Sequence, residues 1–331
     1  MTAQLSTRSS IASPAFAPPS NDFLTLASLG SHGLKAMLDL TGRLKLDPHP
    51  FRGVLAGRRI GMLFDKPSTR TRVSFESAAW MLGMLPIVLR PDELQLGRGE
   101  SIADTARALS LYLDALAVRT FAQASIEDLA DAASIPVINA LTNEHHPCQA
   151  LADVMTLEEE FGPLEGIRLA FIGDGDNVCP SLIEAAALAG FELRVATPPG
   201  FEPSPAIVDA ARVAAIQTGG SIVLTHDPKE AAHGVEAVYS DVWTSMGKEG
   251  EGDARRVAFA GFRVDASIMA DASPAAIYLH CLPAHRGEEV TDEVIDGPAS
   301  RVWRQAENRL HTETALLYTL LARDPLGRSL G

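Results

Sequence analysis

Residues 68–71 read Ser-Thr-Arg-Thr, three hydroxyls and a guanidinium in four consecutive positions. They fall between the apolar run Arg59 to Phe64, which stops at Lys66-Pro67, and a stretch of helical spacing that resumes at Thr71. A helix N-terminus exposes N–H groups that lack intrahelical partners. Together with the positive end of the helix dipole, the hydroxyls and Arg70, those N–H groups would suit a phosphate-like anion. An ordinary Ser/Thr helix cap uses the same residue types, so this block alone does not separate a cap from an anion cradle.

The elements that must position such a cradle can be read from hydrophobic patterning. Strand-like runs at 59–64, 86–89, 114–118 and 136–138 alternate with helical segments, among them Ser101 to Leu113 with its Ser101-x-x-Asp104 start. A helix around His146 to Phe161 and the turn Gly162-Pro163 precede a second series of strand-like runs at 167–172, 193–196, 222–225, 237–240 and 276–279. This alternation predicts an α/β fold of two domains, each a parallel sheet flanked by helices, with the site in the cleft between them. The expected divisions are a tail at 1–21, one domain at 22–158, a second at 159–307, and a last helix, 308–322, packing back on the first. In open parallel sheets ligands collect beyond the carboxyl ends of the strands. There the chain carries Ser68 to Thr71, Arg119, His146-Pro147-Cys148-Gln149, Asn177, Asp241 with Ser245-Met246-Gly247, and His280-Cys281-Leu282-Pro283.

Composition narrows the chemistry. The net charge of -14 over 331 residues argues against a nucleic-acid or anionic-membrane surface, so Arg70, Arg119 and Arg309 suit a small anion better than a polyanion. Three cysteines, Cys148, Cys179 and Cys281, lack metal-ligand spacing and fit a reducing, cytoplasmic setting better than a disulfide framework. No metal or cofactor is implied. No apolar run approaches the roughly twenty residues that a bilayer span needs.

Taken in order, Ser-Thr-Arg-Thr-Arg at 68–72, His-Pro-Cys-Gln at 146–149, Asp241 with Ser-Met-Gly at 245–247, His-Cys-Leu-Pro at 280–283 and Ala-Glu-Asn-Arg at 306–309 resemble the aspartate/ornithine carbamoyltransferase family. The resemblance runs from about residue 25 to 321 and is nearer the ornithine branch. It implies transfer of the carbamoyl group of carbamoyl phosphate to the side-chain amine of L-ornithine. By resemblance, Ser68, Thr69, Arg70 and Thr71 hold the phosphate, Arg119 bridges phosphate and carbonyl oxygen, and His146 donates to that oxygen. Gln149 and the main-chain carbonyls of Cys281 and Leu282 accept from the carbamoyl nitrogen, with Arg309 closing the pocket. Cys281 also stands near the attacking amine. Asn177, Asp241, Ser245 and Met246 serve the amino acid, and the stretch from Ser245 to Gly252 reads as a closing lid. Gln95 resembles a residue inserted into a neighbouring subunit's site, which implies a homotrimer or a multiple of it. One departure is Asp176, which stands where relatives carry a second asparagine.

Two other readings compete. Putrescine or an N-acylated ornithine could replace ornithine as acceptor within the same reaction. A nicotinamide-dependent dehydrogenase is suggested by Gly173-x-Gly175 after a strand, but Val178 occupies the third glycine position and Asp174 and Asp176 would face a pyrophosphate.

Overall fold

Apolar residues at nearly every position mark strands buried on both faces. In the computed structural model, which describes residues 20–90, 92, 94, 99–245 and 248–322, these runs form two sheets whose strands are all parallel. The first sheet contains β1 (Arg59–Phe64), β2 (Leu85–Leu89), β3 (Ala115–Arg119) and β4 (Val137–Leu141), in the spatial order β2-β1-β3-β4. Its helices are α1 (Gly30–Leu46), α2 (Thr69–Leu82), α3 (Ile102–Ser110), α4 (Gln123–Ala132) and α5 (Pro147–Phe161). The second sheet contains β5 (Arg168–Ile172), β6 (Glu192–Ala196), β7 (Ser221–Thr225), β8 (Ala237–Ser240) and β9 (Ile277–Leu279), in the order β7-β6-β5-β8-β9. Around it lie α6 (Val178–Ala189), α7 (Pro205–Ala215), α8 (Pro228–Ala232), α9 (Gly252–Ala258), α10 (Ala266–Asp271) and α11 (Asp292–Ile295). The final helix α12 (Val302–Leu321) packs against α1, α2 and α5.

Both strand orders reverse direction once. After β1 the chain adds β2 on one side and β3 on the other; after β5 it adds β6 and β7 on one side and β8 on the other. At such a reversal, neighbouring connections leave on opposite faces of the sheet and open a crevice at the strands' carboxyl ends. The crevice of the first sheet lies between the residues after β1 and Arg119 at the end of β3. That of the second lies between residues 173–177 and Asp241.

Some elements differ from their sequence patterns. The helical pattern from residue 22 resolves into a 3-10 turn, Leu26–Leu29, ahead of α1, because Phe23 instead bridges to Ile138 along the edge of β4. Asp22 accepts from Val137 N at 2.8 Å and fixes that edge. Ser101 caps α3 by accepting from Asp104 N at 3.0 Å, but the Asp104 carboxylate turns to Arg107 rather than back to the cap. α12 starts six residues earlier than 308, at Val302. No helix among the described residues is long and apolar enough to cross a membrane.

Candidate active site

Ser68 is the N-cap of α2, with extended backbone and its hydroxyl accepting from Thr71 N at 3.2 Å. The helix therefore begins at Thr69, two residues before the spacing indicated, and Arg70 and Thr71 sit in its first turn. The cap and the candidate cradle are the same piece of chain. Ser68, Thr69 and Arg70 line a cavity of about 390 Å³ between the two sheets, together with Arg119, His146, Asn177, Asp241, Ser245, Cys281, Leu282 and Arg309.

The cationic end is internally strained in its electrostatics. Burial, then the charge of Arg309, brings Arg119 down to about 10, and burial with Arg309 also lowers Arg70. Guanidinium groups crowded so closely disfavour one another's charge, and a dianion among them offsets that cost. Arg309 is held by two bonds to Glu313 Oε1, from Nε at 2.9 Å and Nη2 at 2.6 Å. It also donates to Gln149 Oε1 at 2.8 Å and to Thr71 Oγ1 at 3.3 Å. Thr71 and Gln149 are buried directly behind the lining, each bonded to Arg309.

His146 is the N-cap of α5, and its main-chain N–H donates to Ser181 Oγ on α6 at 2.8 Å. Burial, and then the charges of Arg309, Arg119 and Arg70, hold its imidazole well below the usual histidine pKa, so it is neutral at physiological pH. Further contacts join the same helix to the first half of the chain. Asn177 N donates to Asn143 O at 3.0 Å, and Glu184 Oε2 accepts from Leu26 N at 2.9 Å and Ala27 N at 3.1 Å. One face of α6 and its cap thereby grip the turn that carries His146.

The cavity lining also carries an acid. Asp241, buried at the end of β8, accepts from Cys281 Sγ at 3.0 Å and from Val242 N at 2.8 Å, while burial raises its pKa. Burial and Asp241 push the Cys281 thiol up as well, so it is a thiol donor and not a thiolate. The loop after β9 is set by His280. Its Nδ1 accepts from Leu282 N at 2.8 Å, which leaves Nε2 to donate to the buried Glu289 at 3.1 Å. Donor atoms of Asp241, His280 and Cys281 come within 4.8 Å of one another, a grouping their spacing did not foretell, yet all three are engaged in these internal bonds. Asn177 and Leu282, the two non-glycine residues with positive φ among those described, at 33° and 56°, both line the cavity. Backbone held in this region is characteristic of ligand-contacting turns.

Asp176 pairs with Lys248 and is absent from the cavity lining, so its charge is neutralised beside the site. Asp174 is likewise paired, with Arg255 at 2.5 Å. Gly175 is forced by packing: a Cβ there would run into the backbone of Phe201, Glu202 and Pro203. The Gly-x-Gly turn therefore closes against a protein loop rather than a pyrophosphate. Gly175→Ala is expected to destabilise the fold by about 1–3 kcal/mol, the usual range for overpacking, measured as a shift in denaturant midpoint.

Gln95 and Met246 lie outside the described residues. Lys66 and His285 line the cavity without belonging to any motif. The signal for Lys66 was its place in the same loop as Ser68, and for His285 its place two residues after Pro283. Glu313 could have been found from its i,i+4 spacing to Arg309 on one helix.

Comparison with known proteins agrees with this geometry. Residues 21–159 match the carbamoyl-P binding domain, and residues 165–320 the Asp/Orn binding domain, of aspartate/ornithine carbamoyltransferase. An ornithine carbamoyltransferase of Acidothermus cellulolyticus is 53% identical over 286 residues, covering 86% of this chain and 92% of the relative. One of Methanoculleus marisnigri is 48% identical over 306 residues, covering 91% and 97%. The solved ornithine carbamoyltransferase from Pyrococcus furiosus superposes with a TM-score of 0.89 at 44% identity, covering 93% of this chain and 99% of that one. With both halves of the fold matched, the chain belongs to the aspartate/ornithine carbamoyltransferase family.

Proposed function

We propose that this protein transfers the carbamoyl group of carbamoyl phosphate to the side-chain amine of L-ornithine, giving L-citrulline and phosphate. The observation that carries the reading is a single cavity lined by Arg70, Arg119 and Arg309 and also by Asp241. The arginine end, with the α2 N-terminus and the Ser68 and Thr69 hydroxyls, binds the phosphate. The neutral side-chain amine adds its lone pair to the carbonyl carbon, and the carbonyl oxygen takes up negative charge. Arg119 and His146 stabilise that charge by donating to it. The carbon–oxygen bond to phosphate then breaks, and the proton of the new amide nitrogen passes to the departing phosphate. Cys281 and Leu282 present main-chain carbonyls to the carbamoyl nitrogen, with Gln149 as a further acceptor. Asp241 binds the α-ammonium, Asn177 and Ser245 serve the amino-acid head group, and Met246 belongs to the segment that covers it.

In this reading residues 22–158 with the helix around 308–322 form the donor half and residues 159–307 the acceptor half. The protein works as a homotrimer or a multiple of it, with Gln95 reaching into a neighbour's site. Its free cysteines suit a reducing compartment such as the cytoplasm.

The test is citrulline formation with L-ornithine, putrescine and N-acetylornithine as acceptors. L-ornithine is expected to give the highest kcat/KM, because the other two lack the carboxylate or the free α-ammonium. Asp241→Asn should raise the ornithine KM by about tenfold or more, the loss of a charge-assisted bond. Carbamoyl transfer to putrescine or acetylornithine alone would overturn the substrate, and no transfer to any amine would overturn the reaction.

A further inference from the structure

Behind the cavity, two buried side-chain amides share one carboxylate oxygen. Gln149 Nε2 donates to Asp153 Oδ1 at 2.8 Å, and Gln305 Nε2 donates to the same oxygen at 2.6 Å. Gln305 Nε2 also donates to Tyr239 OH at 3.1 Å. The carbonyl ends of both amides are occupied too: Arg309 donates to Gln149 Oε1 at 2.8 Å, and His280 N donates to Gln305 Oε1 at 2.9 Å. An amide whose NH₂ is held in place must present its oxygen the other way. Asp153 therefore sets the orientation of both amides. On α5 it turns Gln149 Oε1 toward Arg309, which lines the cavity. Through Gln305 on α12 it anchors His280 N, at the base of the Cys281–Leu282 turn.

The carbamoyl nitrogen carries two N–H donors and needs acceptors. On the proposed function, these are Gln149 Oε1 and the carbonyls of the Cys281–Leu282 turn. They come from different halves of the fold, Gln149 from α5 and the Cys281–Leu282 turn from the end of β9. We propose that Asp153 is the positioning residue that holds these acceptors together and so lets the site tell a carbamoyl NH₂ from an isosteric methyl group. Without it, the bond from Arg309 alone orients the Gln149 amide, which can then shift away from the substrate's NH₂. Asp153 is fully buried, its Oδ2 has no hydrogen-bond partner, and burial pushes its carboxyl up to about 7 against the bonds from Gln305 and Gln149. Such an arrangement costs stability, as expected of a group retained for the geometry it imposes.

The experiment compares carbamoyl phosphate with acetyl phosphate, which keeps the phosphate and carbonyl but replaces NH₂ by CH₃, by equilibrium binding to the intact protein. The wild type is expected to prefer carbamoyl phosphate strongly, since a site built around a hydrogen-bonded group rejects the analogue lacking it. Asp153→Ala should reduce that preference by about tenfold or more, while inorganic phosphate binds within about threefold of wild type. Asp153→Asn, whose amide oxygen can still accept from both glutamines, should restore most of it. Gln305→Leu, which removes the His280 branch and the bond to Tyr239 OH but keeps the Gln149–Asp153 bond, should show a smaller loss and serves if Asp153→Ala does not fold. Folded Asp153→Ala or Gln305→Leu protein with the wild-type preference, including one weakened equally toward both compounds, overturns the proposal. A wild type that binds no carbamoyl phosphate would instead overturn the functional reading on which it rests.

Discussion

His146→Ala is expected to lower kcat by about 10²–10³-fold, the range for deleting one donor to a developing oxyanion. Inorganic phosphate should inhibit the variant as it inhibits the wild type, because the cationic cradle is intact. The sign of the pH dependence follows from the lowered pKa. Burial and three neighbouring arginines keep the His146 imidazole neutral far below its usual range, so its protonation lies outside the working pH window. Activity should therefore rise with pH through the ionisation of the acceptor's ammonium, which carries a lysine-like pKa near about 10. His146→Ala should reduce the height of that profile without moving its acidic limb. Stopped assays of citrulline from about pH 6 to 9 would check both, and a limb displaced in the variant would show that His146 itself titrates there.

The second large effect concerns Arg309. The pair Arg309–Glu313 is almost fully buried, with side chains 5% and 1% exposed and a 2.6 Å contact. Arg309→Met leaves the Glu313 carboxylate buried without its counter-charge. The expected loss is about 3–5 kcal/mol, the usual cost of breaking such a pair from one side. Donor binding should fall as well, since Arg309 lines the cavity and also fixes Gln149 and Thr71. The two consequences can be separated by adding Glu313→Leu, which removes the stranded charge. The double variant should regain most of the stability, read from urea denaturation, yet still bind carbamoyl phosphate weakly. Recovery of binding together with stability would assign Arg309 to the fold alone.

Local patterning carried much of the architecture. Parallel strands buried on both faces leave unbroken apolar runs, so β1 through β9 were legible to within about two residues at most ends. Helix ends were less so. α2 begins at Thr69 because the Ser68 hydroxyl reaches Thr71 N, a contact that spacing does not reveal. The helical pattern near residue 22 gave way to an edge contact with β4, where a distant strand outweighed local periodicity. The Gly-x-Gly turn at 173–175 looks locally like a nucleotide loop, and only the approach of residues 201–203 to Gly175 discloses its purpose.

What the sequence determined by itself was the inventory of chemistry: which residues offer cations, hydroxyls, an imidazole and a carboxylate, and that strand ends would carry them. Side-chain type and short-range spacing are properties of neighbours along the chain, and they are written there directly. Only the tertiary structure decided which of these groups share a cavity and which stand behind it, why Asp176 does no harm beside the site, and how Asp153 joins two glutamines 156 positions apart. Those relations depend on strand order and on the packing of α12 across the first half. They arise from contacts between residues far apart in sequence, whose geometry no local pattern encodes.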